Sequence, residues 1–182
     1  ALKRLLDIPC AALGLVLAAP LALLTAIAVY LDSPGPVLYR QERAGLRGQP
    51  FTLYKFRSMR LDAERGTPMW ARDNDDRVTR VGRFIRKTRL DEIPQLWNVL
   101  RGDMSLVGPR PERPFFVAQL AKQIPYYMER HSVRPGVTGW AQVRYQYGAS
   151  IEDAIEKLRY DLYYIKHQSV AFDLAIALDT IK

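Results

Sequence analysis

The sequence predicts a mainly helical α+β fold: a re-entrant membrane helix-turn-helix at the N-terminus, a small β-hairpin, and amphipathic interfacial helices around a charged site. Three observations predict it. The first is an uncharged run of 24 residues, Ile8–Leu31. The second is a pair of aromatic and β-branched stretches on either side of a glycine-containing turn. The third is a series of helical segments with recognisable caps. We therefore expect a re-entrant membrane helix at 1–32 and a membrane-surface domain at 33–182 that forms one cooperative unit.

The composition limits the classes of protein that fit. With 48% apolar and 25% charged residues among 182, the chain is neither disordered nor fully embedded in a membrane. The net charge is +8, and 20 of the 27 basic residues are Arg, whose guanidinium binds phosphate or carboxylate in a bidentate manner. Charge alone fits nucleic acid, anionic lipid and phosphorylated small molecules equally. The single Cys10 cannot form an internal disulfide, which is compatible with a reducing compartment.

Two topologies are open for the N-terminal apolar run. Its length is enough to span a hydrocarbon core of about 30 Å, so hydropathy alone favours a spanning helix. However, Pro20 removes a backbone hydrogen bond in the middle of the run. Basic residues also flank both ends, which favours a cytoplasmic position for both: Lys3, Arg4, Arg40, Arg43 and Arg47. We prefer a kinked helix that enters and leaves by one face, with Asp7 paired to Lys3 or Arg4 at headgroup depth.

The turn residues Ser33-Pro34-Gly35-Pro36 end this helix, and two strands follow, PVLYRQERAG and QPFTLYKFRSM, joined by a turn from Ala44 to Gly48. Lys55, Arg57 and Arg60 at the end of the second strand form either a solvated face or an approach for phosphate. Residues 61–76 are polar and read as a loop or short helix.

Arginines then recur at every third position, which on a helix gives a broad basic surface. We expect most of them to face solvent or lipid headgroups and one or two to point inward. They are Arg77, Arg80, Arg83, Arg86 and Arg89.

The acidic pair Asp91-Glu92 stands at the expected start of a short helix, about Leu90 to Leu100, with Pro94 in its first turn and Gly102 at its end. Acidic residues at a helix start are commonly caps, and that reading stays open. The surrounding arginines favour a chemical role, since they need anionic partners: Arg86, Arg89, Arg110 and Arg113.

Two prolines restrict the backbone around one arginine in Gly108-Pro109-Arg110-Pro111, so Arg110 is presented with little freedom. Preorganised cations are what phosphoryl transfer requires. A carboxylate can also attack phosphorus and split one displacement into two. Mg²⁺ held by a carboxylate and substrate phosphates suits such a site.

The C-terminal third is predicted to be helical. A helix from Glu112 to Arg130 is interrupted at Pro125, and Ser150 with Asp153 forms a capping box for a helix that runs to about Lys166. The closing stretch SVAFDLAIALDTIK suits an amphipathic helix in the membrane surface.

Several blocks in order resemble the bacterial sugar transferase family, the monotopic phosphoglycosyl transferases. They are LKRLLD with the apolar run containing Ala19-Pro20, LYKFRSM, RLDEIPQLWNVLRGDMSLVGPRP, VRPGVTGWAQV and YDLYYIK. The resemblance covers nearly the whole chain, and the combination of the last three blocks is specific where no single one is.

The resemblance implies transfer of a sugar-1-phosphate from a UDP-sugar to polyprenol phosphate through a covalent intermediate on Asp91, with release of UMP. It implies that Glu92 is the partner acid, a base or a metal helper, and that Asp91 holds Mg²⁺. It also implies substrate-binding residues, with Arg134 near the nucleotide and Asp161 a candidate ion-pair partner of an active-site Arg: Lys55, Arg57, Arg86, Arg110, Arg134 and Asp161.

Two departures from the family pattern stand out. Ala19 replaces a common Ser before the proline, and RYQYGAS replaces an Asn-Gly-Arg-like run. The second resembles the branch linked to exopolysaccharide loci, and it leaves the sugar open. We expect the catalytic domain of a long-form member at the cytoplasmic face of the bacterial inner membrane, in contact with membrane lipids.

An alternative of a different class is a membrane-anchored module that binds anionic lipid or nucleotide without turnover. Nucleic-acid binding has little support beyond charge, because no recognised module is present. The sequence leaves the oligomeric state open, a homo-oligomer included.

Overall fold

The computed structural model describes residues 2–63, 75–145 and 150–181, and it confirms the mainly helical α+β class. Most of the predicted loop at 61–76 lies outside the described residues. The helices are α1 (Leu2–Asp32), α2 (Arg80–Lys87), α3 (Gln95–Arg101), α4 (Pro114–Gln123), α5 (Trp140–Arg144), α6 (Ile151–Lys166) and α7 (Val170–Ile181). The strands are β1 (Leu38–Ala44), β2 (Pro50–Phe56), β3 (Ser105–Val107) and β4 (Gly136–Thr138).

Helix α1 is long and apolar enough to cross a membrane by length and composition. The helix is continuous through Pro9 and Pro20, so a re-entrant path would be a bend within one helix and not a loop between two. One face packs on the rest of the chain through Ala11, Thr25 and Val29, while most of the leucines on the other faces are exposed. The helix therefore carries both a docking face and a face suited to lipid.

The start of α1 is tied to three other elements, and the predicted pairing of Asp7 with Lys3 or Arg4 is wrong. Asp7 is buried and accepts hydrogen bonds from Ser105 Oγ at 2.7 Å and Leu106 N at 3.2 Å. Lys3 Nζ instead bonds Asp173 of α7 at 2.6 Å. Tertiary partners are available to each charge, so the local pair does not form.

Arg4 caps the C-terminal end of α3. Its guanidinium donates to the carbonyl of Leu100 at 2.6 Å and also to that of Val99. Both carbonyls lie in the last turn of α3, which carries the negative end of the helix dipole, and the Val99 carbonyl also accepts from Gly102 N at 3.1 Å.

Strands β1 and β2 form the predicted antiparallel hairpin, with Leu38 opposite Phe56 and Ala44 opposite Pro50. Helix α3 stabilises it through Asn98, which is fully buried. Asn98 Oδ1 accepts from Tyr54 N at 3.1 Å, and its Nδ2 donates to Thr52 O at 2.7 Å. A single side chain thereby completes the backbone hydrogen bonding of the strand edge.

The helix predicted from about Leu90 to Leu100 is two elements. A 3₁₀ turn covers Leu90–Glu92, and α3 begins only at Gln95, directly after Pro94. The acidic pair consequently precedes α3 and is not at its N-terminus. Arg89 immediately before the turn has φ 59°, a left-handed conformation that separates the turn from α2.

The loop that carries Arg110 is anchored by a short parallel pair, β3 with β4. The two strands approach closely: a Cβ at Gly136 would lie 2.1 Å from Gly108 N. Gly136 N in turn donates to the Pro109 carbonyl at 2.9 Å. The rigid turn predicted around Arg110 is thus held on one side by β4.

The C-terminal predictions match closely. Helix α4 ends before Pro125, and a 3₁₀ turn follows at Tyr127–His131. The capping box of Ser150 and Asp153 is formed at the start of α6. On α7, Ile176 is buried while Leu174 and Leu178 are exposed, as an amphipathic helix requires.

Candidate active site

A cavity of about 880 Å³ lies between the hairpin, the 3₁₀ turn at Leu90–Glu92 and helix α6. One part of its wall is charged, with Asp91 and Glu92 among basic side chains. The other part is apolar or mildly polar and comes from α4, α5 and α6, including Phe116, Leu120, Ala141, Ala154 and Leu158. A wall of two kinds suits a ligand with an anionic part and a less polar part.

Asp91 is the buried acid of this cavity, with only 6% of its surface exposed. Among the described residues, no hydrogen bond or ion pair to its carboxylate is found. Burial raises the pKa of Asp91, and the neighbouring Glu92 raises it further, while Lys55, Arg86 and Arg110 oppose the rise. An unengaged carboxylate that faces three cations is available both to attack an electrophile and to bind a metal ion.

Two of those cations come from the strand β2 and the helix α2. Lys55 lies near the end of β2, where burial, and after it the charge of Arg43, lowers its pKa to about 8. Arg86 points into the cavity, since its Nε donates to Ser58 Oγ at 2.7 Å and its charge acts on Asp91. Three members of the arginine series line the cavity, whereas the sequence predicts one or two: Arg77, Arg86 and Arg89.

Unlike Asp91, Glu92 forms ion pairs with arginines. Arg110 Nη2 donates to Glu92 Oε1 at 2.7 Å, and Arg89 lies 3.8 Å from the other oxygen. Burial alone would raise the pKa of Glu92, but the charge and hydrogen bond of Arg110 outweigh it and the pKa is lowered. Glu92 is therefore ionised and fixes the head of Arg110 beside Asp91.

A buried ion pair supports the backbone of Arg110. Arg130 contacts Asp161 Oδ2 through Nε at 3.0 Å and Nη2 at 2.8 Å, and both residues are almost fully buried. Arg130 Nη2 also donates to the carbonyl of Arg110 at 2.9 Å, and its Nη1 to Tyr127 Oη at 3.0 Å. Contact with Asp161 outweighs burial and raises the pKa of Arg130, so the cation stays charged.

Of the remaining predicted site residues, two line the cavity and one does not. Arg57 lines the cavity and is buried. Asp161 lines it too, but its carboxylate is taken by Arg130 and not by a ligand-facing arginine. Arg134 is exposed, does not line the cavity, and donates through Nε to the Gly102 carbonyl at 2.9 Å. The predicted grouping thus comes together except for Arg134.

Sequence reasoning missed Arg43 and Arg130. Arg43 lines the cavity from β1, where burial lowers its pKa to about 10 despite Glu112 nearby. The period of two along a strand puts Tyr39, Gln41 and Arg43 on one face, which could have indicated Arg43. Nothing in the local sequence distinguishes Arg130 from other arginines.

The oxygen ligands around Asp91 fit a Mg²⁺ ion only when a substrate supplies further ligands. No group of three or more His, Cys, Asp or Glu that could hold a metal is found in the described ranges. Asp91 is a free carboxylate, while that of Glu92 is occupied by Arg110. Mg²⁺ commonly takes one or two carboxylates and completes its shell with substrate phosphates and water, which this arrangement allows.

The fold and the cavity define a class of protein that combines an apolar helix of membrane-crossing length with a cationic, carboxylate-bearing site. The chain belongs to the bacterial sugar transferase family, whose family model matches residues 1–182.

Three relatives illustrate the similarity. The chain is 50% identical over 181 residues to the UDP-N-acetylgalactosamine-undecaprenyl-phosphate N-acetylgalactosaminephosphotransferase of Aeromonas hydrophila, covering 100% of this chain and 43% of the relative. It is 46% identical over 182 residues to the UDP-glucose:undecaprenyl-phosphate glucose-1-phosphate transferase of Escherichia coli (strain K12), covering 99% and 39%. It is 41% identical over 187 residues to the exopolysaccharide production protein PSS of Rhizobium leguminosarum bv. phaseoli, covering 99% and 93%. The chain therefore spans less than half the length of the first two relatives.

Proposed function

We propose that the chain transfers a sugar-1-phosphate from a UDP-sugar to polyprenol phosphate at the cytoplasmic face of the bacterial inner membrane. The observation that carries the proposal is the buried, unengaged carboxylate of Asp91 opposite Lys55, Arg86 and Arg110. The names of two relatives specify this kind of reaction. Because those names differ in the sugar, the sugar is left unassigned. The name of a third relative supports a role at the start of exopolysaccharide or glycan assembly.

In the first half-reaction, a carboxylate oxygen of Asp91 attacks the β-phosphorus of the UDP-sugar. The bond from that phosphorus to the bridging oxygen breaks, and UMP leaves with the electron pair. In the second, a phosphate oxygen of polyprenol phosphate attacks the same phosphorus, and the carboxylate of Asp91 leaves. The product is a polyprenyl-diphospho-sugar, and Asp91 is regenerated.

The cations of the cavity supply most of the catalysis in this scheme. Lys55, Arg86 and Arg110 neutralise the diphosphate as negative charge moves onto the leaving UMP. Glu92 holds Arg110 in position through their 2.7 Å contact, so we assign it a positioning role. Mg²⁺, when bound by Asp91 and substrate phosphates, would supply further charge neutralisation.

The topology proposed for the membrane has its own support. Lys3, Arg4 and Asp7 at one end of α1 are bound to the domain that also packs on Val29 near the other end. A straight helix of 31 residues would be about 46 Å long, more than a hydrocarbon core is thick. Because one domain cannot contact both ends across a bilayer, these contacts support the proposal that both ends lie on one side.

The first prediction concerns the nucleophile. Asp91→Asn should abolish UMP release, by at least about a thousandfold, because the neutral amide cannot form the covalent intermediate. Binding of the UDP-sugar should persist, as measured by calorimetry. The exposed Asp76→Asn variant is the matched control and should keep its activity. Turnover retained by Asp91→Asn would exclude the covalent mechanism, and wild-type binding without turnover would favour a binding module.

The same assay tests the metal. Removal of divalent cations with EDTA should stop UMP release, and added Mg²⁺ should restore it. UMP release that continues in EDTA at an unchanged rate would contradict the metal proposal.

A further inference from the structure

Arg57 is a buried cation for which the described part of the chain shows no counter-ion. Only 6% of its surface is exposed, and its Nε and Nη1 have no hydrogen-bond partner among the described residues. Its Nη2 donates to the carbonyl of Ser33, directly after α1. Removing a charge from water without pairing it costs several kcal/mol, so an unpaired guanidinium in a cavity wall indicates an anionic ligand.

Arg57 is separate from the cations that surround Asp91. The positive charges acting on the pKa of Asp91 are Lys55, Arg86 and Arg110. Arg57 lies instead toward the end of α1, where its backbone N donates to the Val37 carbonyl at 2.8 Å. Arg57 is therefore a cavity-lining cation beside the end of the apolar helix, and it is not among the cations whose charge acts on the pKa of Asp91.

Gly35 leaves room for this side chain. A Cβ at Gly35 would lie 2.8 Å from Arg57 Nη1 and 3.0 Å from Leu61 Cδ1. Its φ of 131° also favours glycine. Leu61 is largely exposed. A phosphate that displaces the Leu61 side chain reaches the Arg57 guanidinium without a movement of the backbone.

An apolar groove of about 540 Å³ runs between the C-terminal half of α1 and helix α2. Its end is formed by Asp32, the residue before Ser33, whose carbonyl binds Arg57. Leu90, the neighbour of Asp91, lines the same groove. An apolar groove and a buried cation thus flank one turn at the end of α1, which suits an amphiphile with an anionic head.

We propose that Arg57 binds the phosphate of the acceptor, polyprenol phosphate, with its first isoprene units in the groove between α1 and α2. This inference rests on the proposed function and divides its site into two phosphate subsites. The donor diphosphate lies at Lys55, Arg86 and Arg110, and the acceptor phosphate approaches Asp91 from the Arg57 side.

The test separates the two half-reactions. Exchange of labelled UMP into UDP-sugar reports the donor half, and product formation with polyprenol phosphate in detergent micelles reports the acceptor half. Arg57→Gln should raise the acceptor KM by about tenfold or more, because a charge-assisted contact is lost, and leave UMP exchange within about threefold. Arg159→Gln is the matched control, because Arg159 is exposed and lines neither the cavity nor the groove, and it should change neither half-reaction.

Two outcomes overturn the subsite: an unchanged acceptor KM, or an equal loss of both half-reactions in a variant that thermal denaturation shows to be folded. If Arg57→Gln does not fold, Arg57→Lys is measured in the same two assays. It keeps the positive charge but loses the bidentate guanidinium, so the acceptor KM should rise while UMP exchange stays unchanged. Absence of UMP exchange in the wild-type protein would contradict the covalent mechanism instead, so the two failures are distinct.

Discussion

At the scale of single residues, Lys55 is a cation whose charge depends on pH in the working range. Burial and the nearby Arg43 lower its pKa to about 8, whereas the arginines around Asp91 stay charged at any pH of interest. In the proposed reaction, Lys55 attracts the donor diphosphate while it is protonated, below about pH 8. At higher pH the folded protein loses that charge, and the proposal predicts weaker donor binding.

We therefore predict that kcat/KM for UMP release falls above about pH 8, by up to tenfold per pH unit, because this ratio reports the free enzyme. Lys55→Arg should flatten the profile, because a guanidinium does not deprotonate there. Single-turnover UMP release at subsaturating UDP-sugar measures the effect without the acceptor. Lys87→Arg, at an exposed position, should keep the wild-type profile. A profile that still falls near pH 8 in Lys55→Arg would assign the titration to another group.

A residue's role could be predicted from the sequence when its neighbours in the chain determine that role. Arg110 stands between two prolines, and Asp91 is adjacent to another acid, so both are visible in a short window. Arg130 acquires its role only from Asp161, 31 residues away, and from the carbonyl of Arg110. Asp7 likewise bonds Ser105 and not its charged neighbours. Partners chosen by tertiary packing are invisible to patterns of spacing.

At the scale of elements, the site is assembled by contacts between segments that are short in themselves. Helix α6 supplies Asp161, the 3₁₀ turn at Tyr127–His131 supplies Arg130, and the turn after β3 carries Arg110. Arg110 then reaches Glu92. The chain of contacts links α6 to the acidic pair, so Asp161 acts through other residues as a positioning residue.

Asp161→Asn should leave the buried Arg130 unpaired and destabilise the fold by about 3–5 kcal/mol, measured by denaturant unfolding. UMP release should also fall, chiefly in kcat, because Arg130, which donates to the Arg110 carbonyl, is no longer held by its carboxylate partner. The Asp76→Asn variant, at an exposed position, is the control and should change neither the stability nor the rate of UMP release.

A double variant separates positioning from stability. Replacing the pair by apolar residues, Arg130→Met with Asp161→Leu, should recover most of the stability, because a buried ion pair is often no better than a packed apolar pair. UMP release should stay low, since the Arg110 carbonyl still lacks its donor. Recovery of full activity along with stability would make the pair merely structural.

One element boundary that the sequence predicts wrongly lies at the site itself. Pro94 was expected within the first turn of a helix that began near Asp91, but α3 starts after it. Pro94 has no N–H, and Arg89 adopts a left-handed conformation, so the backbone makes a tight 3₁₀ turn at the acidic pair first. Propensity and hydrophobic period do not distinguish a 3₁₀ turn followed by a helix from one longer helix.

At the scale of the whole molecule, α1 is the apolar helix of the proposed membrane anchor, and both of its ends contact the rest of the fold. Its first turns bind α3, β3 and α7, and Asp32 at its last turn accepts a hydrogen bond from Val81 N at 3.1 Å. These contacts favour the proposed topology, in which both ends of α1 lie on one side of the bilayer. The flanking basic residues indicated the same arrangement from sequence, whereas the continuity of the helix through Pro20 could not be foreseen.

Single cysteines test this arrangement in a Cys10→Ala background. Leu5→Cys near the start of α1 and Pro36→Cys after its end should both react with a membrane-impermeant maleimide in inverted vesicles, and neither should react in intact cells. Both positions are exposed on the protein, so access depends on the membrane alone. Leu17→Cys, exposed on the protein in the middle of the helix, should remain unlabelled from either side because lipid covers it. Labelling of the two ends from opposite sides would restore a spanning helix, and the contacts of Lys3, Arg4 and Asp7 would then have to break in the membrane.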